Sequence, residues 1–257
     1  MIYQALNYQK KDFVMMIEIL KPEGDPSKIA RLSNELAEIC KDITKDEEIR
    51  IVLLKGSRDN VFSMGTDSVM QAQEAYREPR QKLWSLAEPV AKLDRPVIAA
   101  VHGDAIGQGL ELMLSCDMRI ASEKCRFGFP QIKEGHIPWD GGTQRLSRLV
   151  GRAKALEMIL TGEVIDAQEA FRIGLVNHVV SRKALMKTAM DMAREMAGKG
   201  PIALRYAKEA VHKGIDLTLE EGLRLEADLY LLIHTTRDRT EGIHAFREKR
   251  TPRFEGR

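Results

Sequence analysis

Residues 96–112 read Pro96-Val97-Ile98-Ala99-Ala100-Val101-His102-Gly103-Asp104-Ala105-Ile106-Gly107-Gln108-Gly109-Leu110-Glu111-Leu112. The opening run is apolar, short and bounded by a proline, the signature of a strand buried on both faces. It passes through Gly103, Gly107 and Gly109 into Gln108–Ser115, which is helix-compatible. Amides at such a helix start sit at the positive end of the dipole, where a phosphate or a developing oxyanion is held. The glycine spacing is not the Gly-x-Gly-x-x-Gly dinucleotide fingerprint, and no P-loop Gly-Lys-Ser/Thr follows. Glu111 lies one turn into the helix, where the dipole alone would favour an acid.

Outward from this stretch, strands and helices alternate. Phe13–Leu20 and Ile51–Leu54 are expected to be strands. Between them a helix should begin at Asp25-Pro26-Ser27, because Ile29, Leu32, Leu36, Ile39 and Ile43 recur at helical spacing. Asp67–Leu93 is mostly helix-compatible, with an interruption at Pro79. Met118–Ala121 and Val176–Val180 read as strands. Ala153–Leu160 reads as a helix, as does Ala167–Ile173 behind the cap Asp166. Three helices should follow, Ala184–Ala197, Ile202–Lys213 and Leu219–Arg250, broken at Gly200-Pro201 and near Gly214. This order favours an α/β core with a helical C-terminal region. The division expected is a core over residues 1–195 and a helical region over 196–257 that packs oligomers or covers the site.

Bulk properties exclude several classes. The chain has 257 residues, with 40 basic and 38 acidic side chains, so neither nucleic acid nor an anionic membrane is an expected partner. No apolar run approaches the ~20 residues that span a bilayer, and no signal-type run follows the first residues. Cys40, Cys116 and Cys125 are an odd set without close pairs, which suits buried thiols in a reducing compartment rather than disulfides or a metal site. A cytoplasmic protein without metal is expected.

Two further loops carry candidate chemistry. In Asn60-Val61-Phe62-Ser63-Met64-Gly65-Thr66-Asp67, Gly65 lets the backbone approach a ligand closely, although an ordinary turn after a strand would use the same residue. In Phe127-Gly128-Phe129-Pro130-Gln131-Ile132-Lys133-Glu134-Gly135-His136-Ile137-Pro138-Trp139-Asp140-Gly141-Gly142-Thr143-Gln144-Arg145-Leu146, turn residues alternate with Phe, Trp and Ile that a solvated loop would avoid. Asp140 could simply cap a helix that begins near Thr143.

These three loops, in this order, resemble the signature of the enoyl-CoA hydratase/isomerase (crotonase) family. The likeness continues through Leu160-Thr161-Gly162, Ala167–Val176 and Glu241–Arg250, and so covers essentially the whole chain. It implies a spiral of ββα units against a helical C-terminal region, assembled as trimers or dimers of trimers. It implies an acyl-CoA thioester as substrate, with coenzyme A part of that substrate and no separate cofactor. It also implies an oxyanion hole from two backbone amides, which fall on Thr66 and Gln108, where relatives usually carry small residues. Contacts to substrate and coenzyme A are expected from Ser63, Met64, Gly65, Asp67, Gly107 and Trp139, and at its phosphates from Lys249 or Arg250.

The departures matter more. Hydratases of the family use two glutamates. One falls on Glu111; the other falls on Gln131, whose amide orients a water but cannot take and return a proton. Asp140 lies near the place where dienoyl-CoA isomerases and aryl-CoA dehalogenases of the family carry a catalytic aspartate. His102 and His136 read as structural. The expected activity is hydration of an enoyl-CoA, or of a conjugated dienoyl-CoA, open-chain or cyclic, using Glu111 and Asp140. The alternative is double-bond isomerisation without water. The remote alternative is a non-catalytic, RNA-associated member.

Overall fold

The computed structural model describes residues 3–20, 26–57, 61–63 and 85–257. Two sheets organise it. The larger runs β1 (Leu6–Lys11), β2 (Val14–Ile19), β3 (Ile51–Gly56), β5 (Val97–Val101), β7 (Met118–Ser122) and β10 (His178–Val180). The smaller runs β4 (Val61–Ser63), β6 (Asp104–Ile106), β8 (Arg126–Gly128) and β9 (Val164–Asp166). Strands β2, β3, β5, β7 and β10 are parallel neighbours, and so are β4, β6 and β8. The chain therefore lays one strand in the large sheet, turns a short corner and lays the next in the small one, three times over. After β6 and β8 it returns through helices, and this is the expected ββα spiral. It excludes a single all-parallel dinucleotide-binding sheet.

Alternation of side chains decides which core each strand residue joins. Val52, Leu54, Val97, Ala99 and Val101 face the main core, which holds Leu32, Leu36, Ile39 and Ile43 of helix α1 (Pro26–Lys45). Ile51, Leu53, Ile98 and Ala100 face the other way. They meet Leu185, Ala189, Ala193 and Ala197, one stripe of helix α7 (Arg182–Ala197). Between these lie α2 (Ala87–Ala91), α3 (Gln108–Leu114), α4 (Gly142–Val150), α5 (Arg152–Thr161) and α6 (Ala167–Arg172). The expected cap at Asp166 is present, its Oδ1 accepting the amide of Glu169 at 2.8 Å.

The first strand was not expected. In β1 only Leu6 is buried, so no apolar pattern marks it. Its hairpin to β2 turns on Asp12 and Phe13, both at positive φ (52° and 64°), a conformation that favours Gly or Asn. Arg50 holds the turn: its guanidinium sits 4.1 Å over the Phe13 ring and donates to the carbonyls of Ala197 and Phe254.

The C-terminal region is α8 (Pro201–Gly214), α9 (Leu219–Ile233) and α10 (Arg237–Glu248). The single helix expected over Leu219–Arg250 is in fact two. Thr236 breaks it by accepting the amide of Arg239, which starts α10 without any glycine or proline. No described helix is long and apolar enough to cross a membrane.

Candidate active site

The site begins where β6 and β8 lie side by side. Gly107, at φ 56° and ψ −127°, ends β6 and starts α3, and its amide bonds the carbonyl of Gly128 at 3.0 Å. The positive φ explains why glycine stands there. Every residue of α3 is buried, including Gln108 and Glu111. Gln108 is the first residue of the helix, and its side chain turns to Asp140, Nε2 to Oδ2 at 3.3 Å.

Glu111 is wholly buried. Its Oε1 accepts the amides of Asp140 (2.7 Å) and Gly142 (2.8 Å), whereas Oε2 has no partner among the described residues. Burial pushes its carboxyl up from 4.5 to about 7, the neighbouring Asp140 charge adds to this, and the two amide bonds oppose it. Such a group is half ionised near neutrality, the condition in which one residue serves as base and then as acid. Gly142 is required for the arrangement. A Cβ there would fall 2.8 Å from Phe129 Cζ and from Pro138 Cβ, and 3.0 Å from Glu111 Oε1.

Asp140 lies beside Glu111, but its carboxylate is engaged elsewhere. Oδ2 accepts the amides of Leu86 (2.8 Å) and Ala87 (3.0 Å) and the Gln108 amide, and Oδ1 accepts the Ser85 hydroxyl. The expectation that it caps the following helix is therefore corrected. It does not cap the helix that follows it, which starts at Gly142 behind Gly141 with no side-chain cap. Its two oxygens accept from four donors, three of them at the start of α2 over fifty residues away and the fourth, Gln108, in α3. Arg145, not singled out from the sequence, donates to the Asp140 carbonyl at 2.8 Å and adds a positive charge near Glu111.

Gln131 sits in a single 3-10 turn, Pro130–Glu134, directly after β8. Its backbone carbonyl takes the His136 amide at 3.0 Å, and its side-chain Oε1 is buried without a partner among the described residues. Trp139 and His136 are half-buried on the same loop. His102 instead borders a cavity of about 540 Å³ with Lys124, Arg126 and Arg182. At the other end of the chain, Arg250 meets Glu241 (2.6 and 2.9 Å) and Glu248 (2.6 Å). That guanidinium holds the Glu241 carboxyl down at about 2. The expected phosphate ligand thus already has two carboxylate partners. Lys249 beside it ends α10 in the left-handed conformation. Ser63 closes β4; Met64, Gly65, Thr66 and Asp67 lie outside the described residues.

Known proteins are similar to this chain along nearly its whole length. The family model described as enoyl-CoA hydratase/isomerase matches residues 9–257. A crotonyl-CoA hydratase of Syntrophomonas wolfei is 35% identical over 99% of both chains. A mitochondrial methylglutaconyl-CoA hydratase of Rattus norvegicus is 35% identical over 95% of this chain and 79% of its own. The crystal structure of an enoyl-CoA hydratase from Bacillus anthracis, 38% identical, superposes with a TM-score of 0.89 over 99% of this chain and 100% of its own. With the spiral, the buried Glu111 and the glycine-built helix start all in place, the chain belongs to the enoyl-CoA hydratase/isomerase family.

Proposed function

We propose that this protein adds water across the carbon–carbon double bond of an enoyl-CoA thioester, with Glu111 as its acid–base residue. One observation carries the reading: a fully buried carboxylate with one oxygen pinned by two amides and the other unpartnered among the described residues, titrating near neutrality. Pinning fixes the direction of the second oxygen, and proton transfer requires that direction. The names of the relatives support hydration. The thioester oxygen would lie between the amides of Thr66 and Gln108 as the enolate forms, with coenzyme A along Ser63, Met64, Gly65, Asp67, Gly107 and Trp139. The conjugated-dienoyl version rested on Asp140 as a displaced second base, and the donors around Asp140 remove that support.

Isomerisation is the second reading, because one carboxylate suffices to shuttle a proton between two carbons. Incubation in heavy-oxygen water separates the two. Label in the hydroxyacyl product establishes hydration; a shifted double bond without label establishes isomerisation. In the cell we place the protein in the cytoplasm as a trimer or dimer of trimers. Val211, Leu219, Tyr230, Leu231 and Phe246 of the C-terminal helices are exposed in one chain, and neighbouring copies would cover them. Light scattering on the purified protein tests the assembly.

A further inference from the structure

The stretch that supplies one of the two amides on Glu111 has no regular structure of its own. It runs between the 3-10 turn Pro130–Glu134 and the start of α4 at Gly142. Among the described residues, no backbone–backbone hydrogen bond involves residues 137–140. Yet the Asp140 amide stands 2.7 Å from Glu111 Oε1. The other donor to that oxygen, the Gly142 amide, belongs to the first turn of α4 and is placed by the helix. Nothing of that kind places the amide of Asp140.

Its own side chain supplies the anchor. Asp140 is buried, and its Oδ2 takes the Leu86 and Ala87 amides while Oδ1 takes the Ser85 hydroxyl. The far end of the anchor is fixed in turn. The Ser85 carbonyl accepts the Ser33 hydroxyl of α1 at 2.9 Å, and Ser85 Oγ accepts the Glu88 amide at 2.9 Å. Gln108 reaches Oδ2 from the start of α3, and Arg145 of α4 donates to the Asp140 carbonyl. Residue 140 is thus held at its carboxylate and at its carbonyl by three helices and the Ser85 turn, which sets the direction of its N–H. We propose that Asp140 is a positioning residue: its anchored carboxylate holds its own amide on Glu111 Oε1 and so aims Glu111 Oε2 at the substrate. This rests on the reading of Glu111 as the acid–base residue, and Asp140 acts only through it. Asn in this place would keep the anchor, with one oxygen for the amides and an NH2 that donates to Ser85 Oγ. It would remove the charge that helps to raise the Glu111 carboxyl. Aim and charge are therefore separable.

The test uses the full-length protein with crotonyl-CoA and the variants D140A, D140N, E111Q and E111Q/D140A. D140A should lose kcat roughly 10- to 100-fold with KM within about threefold, because the acid–base oxygen is no longer aimed. D140N should recover most of that turnover, and the acidic limb of its kcat/KM profile should lie at lower pH than in wild type. In the E111Q background D140A should cost less than about twofold, since the group it aims is gone, whereas a general loosening of the fold would cost the same in both backgrounds. If D140A does not fold, S85A takes its place in the cycle. It removes one of the four donors and should lose kcat about two- to fivefold, again only when Glu111 is present. A D140A enzyme that turns over like wild type overturns the inference, as does a loss of equal size in both backgrounds. A D140N enzyme as slow as E111Q overturns it too, because Asp140 would then handle protons itself. An E111Q enzyme as active as wild type instead overturns the reading of Glu111 on which the inference rests.

Discussion

The start of α3 and the C-terminal helices spend charge in opposite ways. Around Glu111 a carboxylate is sealed from water beside the buried Asp140, and one of its two oxygens has no hydrogen-bond partner among the described residues. Around Arg250 the guanidinium is paired with two carboxylates, Glu241 and Glu248, at a surface where Arg250 and Glu248 are exposed and Glu241 is half-buried. Exposed pairs in water contribute little, because solvent screens them and ordering long side chains costs entropy. A buried, under-satisfied carboxylate is costly. The molecule therefore carries its electrostatic strain at α3 alone of the two regions, and a chemical task at Glu111 accounts for that strain.

The sharpest break in this comparison is Glu111→Gln. Activity should fall about 10²- to 10⁴-fold, the usual contribution of an acid–base group. Stability should move the other way. The folded carboxyl titrates at about 7, above its ordinary 4.5, so the folded state holds the proton more tightly than the unfolded chain. Stability from this group is complete below 4.5, declines as pH rises and is lost above 7, a difference of about 3 kcal/mol. Urea unfolding at pH 8 should show the Gln variant more stable by up to about that amount, since its oxygen still accepts both amides. At pH 4.5 the two proteins should nearly coincide. In wild type, kcat/KM should rise with pH to half its plateau near 7. A variant that is no more stable than wild type at pH 8 means Glu111 is not strained.

Asp140 comes next. Asp140→Ala removes the acceptor of four donors and leaves the Leu86 and Ala87 amides unpaired, which should cost roughly 2–4 kcal/mol. Asp140→Asn keeps one acceptor oxygen for those amides and should retain most stability and most turnover. A hundredfold loss of turnover in a stable Asn variant would restore the acid–base role expected from the sequence.

That reversal marks where the sequence stops being legible. β3 and β5 are readable because burial on both faces demands an unbroken apolar run. α1 is readable because one face demands a 3.6-residue period. β6, β8 and β9 have three residues each, too short for any period to register. The break before α10 depends on a threonine side chain that no glycine or proline announces. The role of Glu111 is legible only through the family resemblance, which places one of the two glutamates there, and its missing partner is a tertiary fact. Asp140 misled for the same reason. A carboxylate before two glycines looks like a local cap, and its actual partners at Ser85–Ala87 reach it only through the spiral.

A smaller effect is expected at the exposed C-terminal face. Phe246→Ser changes a side chain that is 85% exposed in a single chain, so the fold of that chain should be little affected. Assembly should suffer, and light scattering should show lighter species at micromolar concentration. An unchanged mass would mean that α10 faces solvent and that other copies meet elsewhere.

The smallest effects separate Lys249 from Arg250. If a cation from this end reaches the phosphates of coenzyme A, Lys249 is the better choice. It stands at the turn that ends α10, whereas Arg250 would have to leave Glu241 and Glu248 to bind an anion. Lys249→Ala should therefore raise the KM for crotonyl-CoA a few-fold at low salt, and the rise should shrink as salt screens the attraction. Arg250→Ala should leave KM within about twofold while releasing Glu241, whose other partner is the Arg253 amide at 2.7 Å. Freed from the guanidinium that holds it near 2, the Glu241 carboxyl should titrate at higher pH, which nuclear magnetic resonance can follow directly. The opposite pattern, with KM sensitive to Arg250 and indifferent to Lys249, would mean that coenzyme A competes successfully with two carboxylates. The C-terminal region would then carry a binding role that its paired charges conceal.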